Sequence, residues 1–184
     1  VMSQYQVAII VGSLRKASFN RQLAQAIAKM APAGWTFTSV DISQLPLYNQ
    51  DADGQEVAVV KQFRDAVRSV DAVLFVTPEY NRSIPGVLKN AVDQGSRPYG
   101  QSVWDGKPAA VIGMSVGAIG TALAQQHLRN ILAYLNMPTL GQPEMFLQAK
   151  DGFFNADGSI GENSNAYVQK FVDQFAAWVL QHKK

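Results

Sequence analysis

The chain has 184 residues, 47% hydrophobic and 16% charged, with 16 Lys and Arg against 14 Asp and Glu and a net charge of +2. That length suits one domain with a core of its own, and the near-balanced charge, with no basic run beyond Lys183–Lys184, argues against a nucleic-acid binder. Cysteine is absent, which rules out disulfides, thiolate catalysis, Fe–S clusters and Cys-ligated zinc and suits a reducing cytoplasm. No apolar run approaches the roughly 20 residues of a membrane span, and the short uncharged start Val1–Gln6 does not read as a leader. The expected location is cytoplasmic, without membrane or nucleic acid as a partner.

Taken in chain order, Gln6–Val11 is a short β-branched apolar run and reads as a strand buried on both faces. Ser18 to Met30 follows, with Phe19, Leu23, Ile27 and Met30 at helical spacing and Ser18 as N-cap. Trp35–Ile42 alternates as a second strand. Leu45–Asp51 is a loop punctuated by Pro and Asn. Val57, Val60, Phe63, Ala66 and Val67 mark a helix, and Ala72–Thr77 is a third strand.

Pro85 suits the first position of a helix running to about Gln94. Ala109–Met114 is a fourth strand, Thr121–Leu135 a helix and Glu144–Gln148 a fifth strand. Val168, Phe171, Val172, Phe175 and Val179 form the stripe of a last helix, after a polar excursion at Asp151–Asn165. Strictly alternating strands and helices mean a parallel sheet covered on both faces. Five strands fit a flavodoxin-like three-layer α/β sandwich in the order 2-1-3-4-5.

In such a sheet ligands bind beyond the carboxyl ends of the strands, near the switch in strand order. Three loops there stand out. Gly12–Asn20 leaves a strand and enters a helix, whose free amides and partial positive charge suit a phosphate. Ser13, Ser18 and Asn20 add short polar donors, and Arg15 adds a fork-shaped permanent charge. The same residues also suit a capped helix with a surface Arg paired to an acid.

Thr77–Gly86 is stiffened by Pro78 and Pro85 and carries Glu79, Tyr80 and Asn81. It suits a planar heterocycle, or a rigid turn with Tyr80 covering the sheet edge. Met114–Gly120 is built of small residues, with Ser115 and Gly117 able to let backbone approach the polar edge of a ring. Close helix–strand packing is the other use of such a run. Together the loops describe a phosphate cup, a rigid wall and a backbone-lined floor, the three parts that FMN requires.

These residues resemble the NADPH-dependent FMN reductase family, in particular its bacterial chromate and quinone reductase branch. The likeness rests on Gly12–Asn20, on Pro78–Asn81 with Ser83–Gly86 and Leu88–Asn90, and on Ser115–Gly117 with His127–Arg129, and runs from about Val7 to Pro143. It implies FMN as cofactor, NAD(P)H as electron donor, a small-molecule electron acceptor, and a homodimer or homotetramer. Ser13, Arg15, Ser18 and Asn20 would hold the phosphate. Pro78, Glu79, Tyr80 and Asn81 would contact ribityl chain and ring, and Ser115 and Gly117 the ring's polar edge. The Leu47–Asp51 loop would reach toward a neighbouring subunit's site.

The implied reaction passes a hydride from NAD(P)H to the flavin and then two electrons to a quinone, an azo compound or chromate, in ping-pong order. No protein side chain is required as catalyst, since the cofactor carries the chemistry. Glu79 is expected chiefly to fix its loop, His127 to be structural, His182 to be solvated, and Trp104 and Trp178 to be core or interface aromatics. Two other functions use the same fold: a flavodoxin-like FMN electron carrier without substrate turnover, and a regulatory or scaffold protein without flavin. A carrier would be expected to show a charged, often acidic docking face, which this composition does not suggest.

Overall fold

The computed structural model describes residues 5–183, so the amino-terminal stretch at 1–4 and Lys184 lie outside the described residues. In chain order the elements are β1 (Tyr5–Val11), α1 (Phe19–Lys29), β2 (Trp35–Ser39), α2 (Ala58–Arg68), β3 (Ala72–Val76), α3 (Gly86–Ser96), β4 (Ala109–Ser115), α4 (Ala122–Tyr134), β5 (Phe146–Gln148) and α5 (Glu162–His182). The strands form a parallel five-stranded sheet in the order β2-β1-β3-β4-β5, the expected flavodoxin-like arrangement. Among the described residues no helix is long and apolar enough to cross a membrane.

Successive side chains on a strand point to opposite faces, and β1 uses both. Val7 and Ile9 pack with Leu23 and Ile27 of α1 and with Phe171 and Phe175 of α5. Ala8 and Ile10 pack with Phe63 of α2, Leu88 of α3 and Leu128 of α4. Every residue of β3 is buried, which is why its sequence is continuously apolar and does not alternate. Trp104 is fully buried on the second face, with its Nε1 donating to the Val92 carbonyl at 2.9 Å.

Several boundaries differ from the sequence expectation. The second strand ends at Ser39, and the chain then crosses the sheet edge so that Ile42 joins the α2–α3–α4 side while Phe37 stays on the other. Pro85 is the N-cap of α3, with extended backbone (φ −60°, ψ 147°), and Gly86 is the first helical residue. The fifth strand starts at Phe146, not Glu144. The excursion at 151–165 is shorter than expected: Phe153 and Ile160 are buried, Phe154 bridges Ile160, and α5 begins at Glu162. Its polar tip is a turn on an apolar base, Asn155 N–H donating to the Ser159 carbonyl at 2.9 Å. His182 is half-buried, stacked on Trp178 at 3.7 Å, where solvation was expected.

One buried charge closes the carboxyl end of α3. Arg64 of α2 donates to the carbonyls of Gln94 (3.1 Å), Gly95 (3.4 Å) and Gln101 (2.7 Å). The first two are helix-end carbonyls that lack intrahelical partners, and the third lies in the loop that follows. Arg64→Met keeps the packing volume but strands the Gln94 and Gln101 carbonyls, Gly95 keeping the Val103 N–H at 2.9 Å, and is expected to lower stability by about 2–4 kcal/mol. A urea titration reads it directly; a loss under about 0.5 kcal/mol would mean that water satisfies the carbonyls.

Candidate functional site

The three singled-out loops lie at one edge of the sheet because parallel strands all end there. The strand ladder continues into them: Gly12 N–H donates to Val76 at 2.9 Å, Thr77 N–H to Ile112 at 3.0 Å, and Ala149 N–H to Ser115 at 2.8 Å. The loop after β1 and the loop after β4 are also joined by a side chain. Asn20, in the first turn of α1, donates Nδ2–H to the Met114 carbonyl and accepts the Met114 N–H, both at 2.9 Å. Asn20 is 3% exposed. Its side chain is therefore committed to β4, and what it leaves for a ligand is the backbone amide.

The other three expected phosphate residues are arranged differently. Ser18 is the N-cap, its Oγ accepting from Arg21 N–H at 3.3 Å. Ser13 Oγ accepts from Arg15 N–H at 3.4 Å. Both serines are buried. Each oxygen acts as acceptor inside the loop, and among the described residues neither hydroxyl hydrogen has a protein acceptor. The amides of Phe19 and Asn20 have no intrahelical partner, as at any helix start. Arg15 is exposed, 5.3 Å from the centre of the Phe19 ring. The ion pairs among the described residues are Arg68–Asp65, Arg82–Glu79 and Lys89–Asp93, so Arg15 has no acid partner there. Two hydroxyls, two amides and a guanidinium make a seat of donors, the chemistry of an anion site at a helix N-terminus.

The loop after β3 is a tight hairpin turn. Tyr80 and Ser83 exchange backbone bonds at 2.9 and 3.0 Å, and Asn81 (φ 50°) and Arg82 (φ 65°) both take left-handed backbone. Such a pair of residues without glycine stores roughly 1–3 kcal/mol each, so the turn needs outside support. Glu79 supplies it: Oε2 accepts Leu123 N–H and Ala124 N–H, both at 3.0 Å, capping α4. The expected loop-fixing role of Glu79 is thus a contact with another element. Pro78 and Thr77 stiffen the base, Thr77 Oγ1 donating to the Pro78 carbonyl at 2.7 Å. His127 of α4, expected to be structural, is exposed and lies 2.9 Å from Ser83 Oγ through Nδ1.

In the loop after β4 the glycines divide cleanly. A Cβ on Gly113 would sit 2.1 Å from Thr121 Oγ1, and one on Gly120, at φ +66°, would sit 2.6 Å from the Phe146 carbonyl carbon. These two serve close helix–strand packing. A Cβ on Gly117 would meet nothing nearer than Ser115 Oγ at 3.8 Å, so its smallness is not needed by the fold. Ser115 Oγ donates to the carbonyls of Gly117, at 3.2 Å, and of Gly120, and so shapes its own loop. Each of the three loops also presents an apolar side chain to the outside: Leu14, Tyr80, and Val116 with Ile119.

Sequence reasoning missed the second roles of Asn20 and Glu79 and the Ser83–His127 contact, which join residues far apart in the chain. An Asn in the first turn of a helix, two positions after the cap Ser18, was the available hint for Asn20. The glycine geometry leads to a contrast. Gly120→Ala is expected to reduce stability by about 1–3 kcal/mol, whereas Gly117→Val should leave the unfolding free energy from a urea titration within about 0.5 kcal/mol of the parent. Equal losses at both positions would remove Gly117 as a ligand-facing residue.

The NADPH-dependent FMN reductase family model matches residues 5–151. A 2-hydroxy-1,4-benzoquinone reductase from a Burkholderia species is 53% identical over 175 residues, 95% of this chain and 96% of that protein. A quinone reductase of Pseudomonas putida is 50% identical over 180 residues, 97% of each chain. Among solved structures, FerB, the flavoenzyme NAD(P)H:(acceptor) oxidoreductase of Paracoccus denitrificans, superposes with a TM-score of 0.94 at 44% identity, covering 98% of this chain and 100% of that one. The chain belongs to the NADPH-dependent FMN reductase family.

Proposed function

We propose that the chain is an FMN-dependent NAD(P)H:quinone oxidoreductase, acting as one cytoplasmic FMN-binding domain over residues 1–184. The observation that carries this reading is the donor-only seat at the start of α1, with Arg15 free of any acid among the described residues. An FMN phosphate fits it: the hydroxyls of Ser13 and Ser18 and the amides of Phe19 and Asn20 donate, and Arg15 neutralises charge. Pro78, Glu79, Tyr80 and Asn81 form the wall, with the Glu79 side chain acting through α4 and the loop backbone facing the ribityl chain and ring. Ser115 and Gly117 form the floor, where the open space at Gly117 admits a ring edge.

When bound, FMN would supply two-electron redox chemistry between NAD(P)H and the acceptor, in ping-pong order. The protein's part is to hold the cofactor rigidly and to leave one side of it open to small molecules. The exposed apolar rim of Leu14, Tyr80, Val116 and Ile119 favours a flat, weakly polar acceptor. A quinone meets that requirement, in keeping with the activities for which the Burkholderia and Pseudomonas relatives are named; azo compounds and chromate are the other acceptors within this reading. The exposed Arg15 and Lys16 make the start of α1 basic, unlike the acidic docking face expected of a carrier, while Arg82 is paired to Glu79. A homodimer or homotetramer is part of the proposal. It is supported by a cavity of about 890 Å³ between α3 and α4, away from the loops, rimmed by the exposed Tyr99 and Tyr134.

Purified protein supplied with FMN should oxidise NADPH or NADH through many turnovers once a benzoquinone is added, followed by absorbance. Consumption that stops at one equivalent would reject the enzyme in favour of a carrier. Arg15→Ala should weaken FMN binding about 10- to 100-fold, the worth of a charge-assisted contact. An unchanged dissociation constant by fluorescence titration would remove Arg15 from the phosphate site.

A further inference from the structure

The hairpin carrying Tyr80 is fastened to α4 on both of its arms. On the incoming arm Glu79 Oε2 receives the N–H groups of Leu123 and Ala124. On the returning arm Ser83 Oγ lies 2.9 Å from His127 Nδ1. His127 is four residues after Leu123, so the two fastenings are one helical turn apart on the same side of α4. Between them lies the strained pair Asn81–Arg82.

A single fastening at Glu79 would act as a pivot. The tip could swing about it, because the contacts that close the turn, the two Tyr80–Ser83 backbone bonds and the Arg82–Glu79 ion pair at 3.7 Å, lie within the hairpin and move with it. A second fastening on the far arm removes that rotation. Burial does not order His127, whose side chain is exposed, and Ser83 Oγ is its hydrogen-bond partner. The contact also tolerates either tautomer, since Nδ1 can accept the Ser83 hydroxyl or donate to its oxygen.

We infer that His127 is a positioning residue: through Ser83 it clamps the Tyr80 hairpin against α4 and so sets the place of Tyr80 beside FMN and the acceptor. The inference rests on the flavoenzyme reading for its consequence, but the clamp is a property of the chain alone.

The experiment uses His127→Ala, Ser83→Ala, the double variant and His127→Asn, whose side-chain amide can reach the place of Nδ1. In protein free of FMN, amide hydrogen exchange is followed by NMR at Tyr80 and Ser83. Each alanine variant should exchange about 3- to 10-fold faster at these two amides, the worth of one hydrogen bond. The double variant should be no faster than either single, and His127→Asn should restore slow exchange. Unchanged exchange, or additive effects in the double variant, would overturn the clamp.

With FMN, NADPH and a benzoquinone, His127→Ala should raise the KM for the quinone by more than it lowers kcat, and His127→Asn should reverse the change. Faster exchange with unaltered KM would overturn the assigned role in placing Tyr80. If the parent protein takes up no FMN, the flavoenzyme reading fails, and with it the assigned role beside the cofactor, while the exchange data still decide the clamp.

Discussion

A parallel sheet buried on both faces leaves its backbone no water, so each strand must be paired along its whole length and every strand-to-helix connection must emerge at one edge. That constraint shapes this molecule. The ladder runs on into the loops through Gly12, Thr77 and Ala149. At Met114 it is completed by a side chain, the amide of Asn20, which pairs with both backbone groups as a strand would. The consequence is that the loops after β1, β3 and β4 are tied to one another by the chain's own hydrogen bonds, with no ligand needed to gather them.

The same edge separates groups that hold the loops from groups left free. Asn20, Glu79 and Ser115 look like ligand contacts, yet their side chains are committed to Met114, to the start of α4 and to the Gly117–Gly120 turn. Arg15, the hydroxyl hydrogens of Ser13 and Ser18, the first amides of α1 and the space at Gly117 remain available. The residues that brace the loops are therefore different from those left free within the same motifs. This division explains how short loops with two left-handed residues can be held in one conformation.

Strands and helices were readable because burial writes a period into the chain. The unbroken apolar run of β3 marks a strand covered twice, and the spacing of Leu23 and Ile27 marks one face of α1. Boundaries were less readable. Ile42 looked like a continuation of β2, but its apolar character serves the opposite face of the sheet. Phe153 and Ile160 lie in a polar stretch, and only their shared contact with the core shows that the segment is anchored.

The motifs at the sheet edge were legible as types of chemistry, an anion-binding helix start and a stiff aromatic loop, because cap residues, prolines and glycines act locally. Their partners were not. Glu79 reaches α4 across 44 residues, Asn20 reaches β4 across 94, and Ser83 meets His127 across 44. Such contacts carry no periodic or local signature, since they depend on which ends of which elements the sheet brings together. The sequence by itself therefore determined the alternating elements, the strand order and the residues that would gather at the edge. The tertiary structure alone decided which of those residues brace the loops and which stay free, because a hydrogen-bonding side chain takes whichever partner the fold sets within about 3 Å of it.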